Sequence, residues 1–161
     1  DLVINAGIAG AFPGRADIGS IVVSSEIICG DLGVETSEGF MAIESLNFGT
    51  SRYAVDDNLT EVIMQGLQRK DVDAYLGGIL TLSTVTGTAD KAEKLMAREQ
   101  QAVAEAMEGF GVATASADLD IPVVEIRAIS NFVGPRDKSA WRIDEAFQSL
   151  EKACSILTEV L

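Results

Sequence analysis

Read for chemistry, the sequence offers carboxylates, amides and small hydroxyls, but no histidine. A Ser-His-Asp triad, a Cys-His pair and a His-ligated metal are therefore excluded. Attention falls first on Glu108 in "EAMEGFG" (105–111), a carboxylate between Met107 and Gly109 in an otherwise apolar passage. Buried there, it is costly unless something satisfies it. It can cap a helix and complement its dipole, or its two oxygens can accept hydrogen bonds from a diol. Arg127 and Asn131 stand four apart in "RAISNFVGPRD" (127–137), near the end of an apolar run. A buried Arg127 needs an acidic partner, Glu108 or a residue absent from this sequence, and a purely structural Arg–carboxylate staple is the alternative. Asn131 carries a donor and an acceptor on one planar group, which suits the edge of a heterocycle or, equally, a turn. Period-two alternation puts 127, 129 and 131 on one face unless the strand bends. Gly7 and Gly10 of "NAGIAG" (5–10) let backbone N–H groups approach a ligand, or simply make a tight strand–helix turn. "LSTVTGT" (82–88) supplies amides and small hydroxyls, or is an ordinary polar loop.

The elements that must position these residues alternate between short apolar runs and helix-period segments, an α/β signature. Strands are expected at 2–7, 20–28, 74–87 (ending in a Thr/Gly loop), 102–107 and 122–134, with Pro122 at a permitted starting position. Residues 30–39 read as a polar loop and 40–48 as a short strand. Helices are expected at 56–70, opened by Asp caps and closed by basic residues, at 89–100, and from 108 to about 117. The clearest is the last, where Ile143, Ala146, Phe147, Leu150, Ala153, Cys154, Leu157 and Val160 form one stripe. Ligands of open α/β sheets sit at the C-terminal ends of strands, where all four candidate segments lie.

The totals bound the answer. A chain of 161 residues, 47 % apolar with a net charge of −13, suggests one globular domain with a real core. The charge argues against nucleic acid and anionic membranes as partners but not against a small nucleoside-like ligand. No apolar run reaches ~18 residues. Cys29 and Cys154, far apart in sequence, read as reduced thiols, which points to the cytoplasm. The chain opens with "DLVINAG", in what reads as the middle of a strand.

Four segments in this order and spacing, "NAGIAGAF", "DIGSIVVSSEIICGDLG", "AMEGFGVATA" and "IPVVEIRAISNFVGPRD", resemble the nucleoside phosphorylase and nucleosidase superfamily. The resemblance covers essentially the whole chain, and "RAISNFVGPRD" followed by "WRIDEAF" is most similar to the futalosine hydrolases. It implies an α/β three-layer fold with a central mixed, partly barrel-like sheet flanked by helices, as a single domain over 1–161 that lacks the family's first strand–helix segment. It also implies that Glu108 binds the ribose 2′- and 3′-hydroxyls, that Met107 packs on the sugar, and that Ala9, Gly10 and the loop Thr84, Val85 and Thr86 line the substrate. Asn131 touches N7 and the C6 substituent of the purine, and Arg127 organises the polar network. Adenine-cleaving nucleosidases place an Asp where Asn131 stands. Phosphorylases of the hexameric type hold phosphate with an Arg and a Ser or Thr in the first glycine segment, where this chain has Asn5 and Ile8. Hydrolysis of an N-glycosidic bond is therefore expected, without cofactor or metal: futalosine and water giving hypoxanthine and dehypoxanthine futalosine. In the hydrolases, a Glu near the N-terminus activates water, and nothing here matches it. A related purine nucleosidase or phosphorylase, and a non-catalytic nucleoside-binding fragment, are the alternatives. Members of the family associate, so a homo-oligomer is expected, with Phe40 a candidate contribution to a neighbour's ribose site or an ordinary core residue.

Overall fold

A computed structural model describes all 161 residues. Eight strands and four helices follow in order: β1 (Val3–Ala11), β2 (Ile21–Cys29), β3 (Gly33–Thr36), β4 (Gly39–Ala42), β5 (Arg52–Ala54), α1 (Asp57–Arg69), β6 (Ala74–Thr81), α2 (Ala89–Arg98), β7 (Ala102–Ala106), α3 (Gly109–Asp118), β8 (Val123–Phe132) and α4 (Ile143–Val160). The main sheet runs β5-β2-β6-β7-β1-β8, and β2 also pairs with β8. That last pairing closes β2, β6, β7, β1 and β8 into a barrel-like ring of mixed strand direction, with β5 on the far half of β2. No helix is long and apolar enough to cross a membrane.

Local sequence explains most elements. Asp56 accepts the Leu59 N–H at the start of α1, and Thr88 accepts that of Lys91 at the start of α2, as side-chain caps do. Ala9, Ala11, Val22, Ile79, Ala104, Ala106 and Ile129 form one buried cluster drawn from all five ring strands, mostly small side chains that let the ring close. On the outside, Ile21, Val23, Ile126 and Ala128 pack against Ile63 and Leu67 of α1 and Ala146, Ala153, Ile156 and Leu157 of α4. Phe147, expected in the α4 stripe, is exposed, and Ile156 takes a core place.

Three expectations are corrected. "NAGIAG" is not a turn: β1 runs straight through it to Ala11, paired with β8 along its length. Residues 30–39 are not loop throughout, because β3 pairs with β4 as a hairpin, and 40–48 is strand only to Ala42 before a 3-10 turn, Ile43–Leu46. β5 is a three-residue strand, too short for alternation to register in the sequence.

Candidate active site

β1 and β7 pair only at Gly10–Glu105 and Ala11–Ala104. The chain after β7 then turns into α3 and carries Glu108 and Gly109 over Arg127 of β8. Arg127 is buried, and its guanidinium is divided among three acceptors. Nε donates to Glu125 Oε1 at 2.7 Å, Nη2 to Glu108 Oε2 at 2.9 Å, and Nη1 to the Ile8 carbonyl at 3.3 Å. Glu125 is fully buried, and its main-chain N–H donates to Ser24 Oγ. Burial raises the Glu125 carboxyl above the ordinary range, against the opposing pull of Arg127. Glu125 Oε2 and Asn5 Nδ2, on residues that face each other across β1 and β8, are buried without a partner.

The glycines make room for this network rather than for a turn. A Cβ on Gly7 would overlap the Arg127 guanidinium, and one on Gly109 would overlap the Glu125 carboxylate. Glu108 does not lie in a buried passage: its side chain is 60 % exposed, and it makes no capping hydrogen bond to α3. Its ion pair with Arg127 therefore leaves Oε1 free toward solvent.

A bulge sets the other half of the site. Between Ala9 and Gly10, β8 carries one extra residue, Ser130, so Ala9 faces Ile129 and Gly10 faces Asn131. The extra residue breaks the alternation that would have kept Arg127 and Asn131 on one face. Asn131 Oδ1 lies 2.8 Å from Ser130 Oγ, and Nδ2 donates to the Phe132 carbonyl. The amide is thereby oriented, with one donor and one acceptor position left over.

These residues meet at a cleft of about 230 Å³ lined by Ala9, Gly10, Val85, Thr86, Met107, Glu108 and Asn131, among others. Arg127 does not line it and meets it only through its bond to Glu108. Thr84 is exposed and outside it. Phe40 is outside it too, in this chain half-buried with its ring centre 4.0 Å from the Arg98 guanidinium carbon. The sequence reading missed Glu125, although an acidic residue two positions before a buried Arg on one strand shares its face. It also missed the cleft residues Glu105, Ser130 and Trp141. Glu105 is 7 % exposed. Its Oε1 accepts the Thr86 N–H at 2.7 Å, and Oε2 is buried without a partner. Burial raises this carboxyl, against the hydrogen bonds from Thr86. No group of three or more His, Cys, Asp or Glu side chains is placed to hold a metal ion.

The sequence model of the phosphorylase superfamily matches residues 1–161, from end to end. The chain belongs to the phosphorylase superfamily. Within that superfamily it is 47 % identical over 161 residues to the futalosine hydrolase of Streptomyces coelicolor, covering 100 % of this chain and 66 % of that protein. It is 43 % identical over 156 residues to that of Acidothermus cellulolyticus, covering 97 % and 64 %. The chain thus spans just under two thirds of the length of these relatives. Among solved superfamily structures, the 5′-methylthioadenosine/S-adenosylhomocysteine nucleosidase of Neisseria meningitidis, in complex with methylthio-immucillin-A, superimposes with a TM-score of 0.85 at 20 % identity, covering 100 % of this chain and 70 % of that one. The futalosine hydrolase of Helicobacter pylori gives 0.84 at 18 % identity, covering 99 % and 68 %. At these identities the likeness is one of fold.

Proposed function

We propose that the full-length protein hydrolyses the N-glycosidic bond of futalosine, releasing hypoxanthine and dehypoxanthine futalosine, a step of menaquinone biosynthesis in the cytoplasm. One observation carries the reading: Glu108, tied to Arg127 by one oxygen, and Asn131, oriented by Ser130 and Phe132, face one cleft. The identity to futalosine hydrolases supports it.

In this reading the ribose lies over Met107 with its 2′- and 3′-hydroxyls on Glu108. As the glycosidic bond breaks, positive charge grows on the sugar. The hydroxyls become better donors, and Glu108 binds the transition state more tightly than the ground state. The purine lies between Asn131 and the loop of Val85 and Thr86. Asn131 donates and accepts at once, matching the O6 and N7 edge of a 6-oxopurine without titrating. The 6-amino group of adenine turns a donor toward the amide donor and leaves polar groups unpaired, at about 1–3 kcal/mol. Asn5 and Ile8, where phosphorylases of the hexameric type hold phosphate, bring no cation, and Ile8 lines the cleft with hydrocarbon. Water is therefore the nucleophile. Glu108 is committed to Arg127 and the diol, so activation of water falls to another group.

The test is the full-length protein with futalosine, inosine and methylthioadenosine, following free base by chromatography with and without phosphate. Hypoxanthine is expected fastest from futalosine, at a rate phosphate does not change. Phosphate-dependent release would make it a phosphorylase. Preferred release of adenine from methylthioadenosine would make it a methylthioadenosine nucleosidase, and no release would leave a binding protein.

A further inference from the structure

We propose that Glu125 is a positioning residue that keeps Glu108 available to the substrate; the proposal rests on the reading of Glu108 as the ligand of the ribose diol. An Arg guanidinium offers two bidentate forks, one through Nε and Nη2 and one through Nη1 and Nη2. Left alone with a single carboxylate in a buried setting, Arg127 would be gripped through one of these forks, and both Glu108 oxygens would be consumed. The structure gives Glu108 neither. Glu125 takes the single Nε–H at 2.7 Å, one Nη1–H donates to the Ile8 carbonyl at 3.3 Å, and Glu108 meets Nη2 alone, through one oxygen, Oε2, at 2.9 Å.

A plain charge-balancing role does not account for the arrangement. One carboxylate would neutralise Arg127, and Glu108 is already in contact with it. A second one, fully buried and with Oε2 unpartnered, adds a desolvation cost. The sequence also clears space for it, since Gly109 is the residue whose Cβ would collide with the Glu125 carboxylate. What the second carboxylate adds is a divided guanidinium, and hence a Glu108 anchored at one oxygen and free at the other.

Glu125→Gln keeps the size but offers Nε only a neutral acceptor, which holds it about half as strongly as the carboxylate and yields the Nε–Nη2 fork to the charged Glu108. Arg127 then turns its full charge on Glu108 and draws it into a two-oxygen grip. In the full-length protein, kcat/KM for futalosine is expected to fall about tenfold or more, mostly in kcat. For the 2′-deoxy analogue, which makes less use of Glu108, the fall is expected to stay within about threefold. In a Glu108→Gln background, Glu125→Gln should add little further loss. Equal losses on the two substrates, or full additivity with Glu108→Gln, would overturn the proposal and leave Glu125 a structural ion pair. A readout free of activity runs beside it: crystal structures of the wild type and of Glu125→Gln. Glu108 is expected to change from one contact with Arg127 to two, and an unmoved Glu108 would overturn the proposal. If the wild type releases no base, the functional reading fails, while the crystallographic comparison still decides the role of Glu125. Glu125→Asp, which restores the charge on a shorter stem, should recover part of the ribose preference.

Discussion

At the scale of the residue, Glu108 keeps one oxygen on Arg127 and presents the other to the cleft, so its removal separates catalysis from folding. Glu108→Gln leaves Arg127 paired with buried Glu125, and the fold should survive. The rate should fall about 10²–10³, the ~3–4 kcal/mol typical of losing an interaction made chiefly in the transition state. Steady-state kinetics beside a thermal melt would check this. Unfolding with unchanged activity per folded molecule would make Glu108 a structural residue. Glu105 tests the opposite balance. Burial raises its carboxyl above the ordinary value near 4.5, so the folded state holds that proton more tightly than the unfolded chain. The stability it contributes is full below about 4.5 and is lost as pH rises through the raised value. At pH 7 Glu105 is thus a cost, and Glu105→Gln, which keeps the acceptor for Thr86, should melt higher than the wild type. The gain should shrink toward nothing at pH 4. A Tm difference that does not change with pH would show that Glu105 carries no such linkage.

At the scale of the element, what was legible in the sequence was whatever local chemistry determines. Asp56 announced α1 as a cap, the charged helix-period segment 89–100 gave α2, and the β-branched run of residues 20–28 gave β2. What was not legible depends on a distant partner. Gly7 and Gly10 have the look of a turn, yet they lie inside β1, because what they accommodate is the side chains of Arg127 and Asn131, more than a hundred residues later. Nor does "AISN" announce that Ser130 is the extra residue of a bulge; the register with β1 decides it. Glu108 looked buried because its neighbours are apolar, but Met107 and Glu108 stand at the open end of β7 and are exposed. The same reasoning predicts two glycines of α3 to behave oppositely. Gly→Ala inside a helix ordinarily stabilises by roughly 0.5–1 kcal/mol. At Gly111 a Cβ meets nothing within 4 Å, so Gly111→Ala should show that gain. At Gly109 the Cβ would overlap Glu125. Overpacking of this kind costs ~1–3 kcal/mol, so Gly109→Ala should melt lower and lose activity. Denaturant melts of the two variants decide it, and a stabilised Gly109→Ala would mean that the Glu125 network yields easily.

At the scale of the whole molecule, the ring closes through β2–β8, but the β3–β4 hairpin pairs with no ring strand. Two strands by themselves are marginal in water. This pair is fastened from one side by Phe40 against Arg98, whose Nη2 also donates to the Gly30 carbonyl. The hairpin's other large apolar side chains face out, Val34 38 % and Met41 40 % exposed, and Phe48, just beyond it, is 79 % exposed. Phe40 is thus engaged within its own chain, and Phe48, the most exposed large apolar residue of the molecule, becomes the better candidate for a contact with a second copy. A net charge of −13 opposes indiscriminate association, and burial of an apolar anchor is one way a second copy offsets that repulsion. We therefore expect the full-length protein to be at least a dimer at micromolar concentration. Phe48→Glu should raise the dissociation constant about a hundredfold, the loss of one interface anchor of ~2–3 kcal/mol. Light scattering behind a sizing column reads both outcomes. A monomeric mass for the active wild type would end the assembly reading, whereas a dimer that Phe48→Glu leaves intact would move the contact elsewhere on the ring.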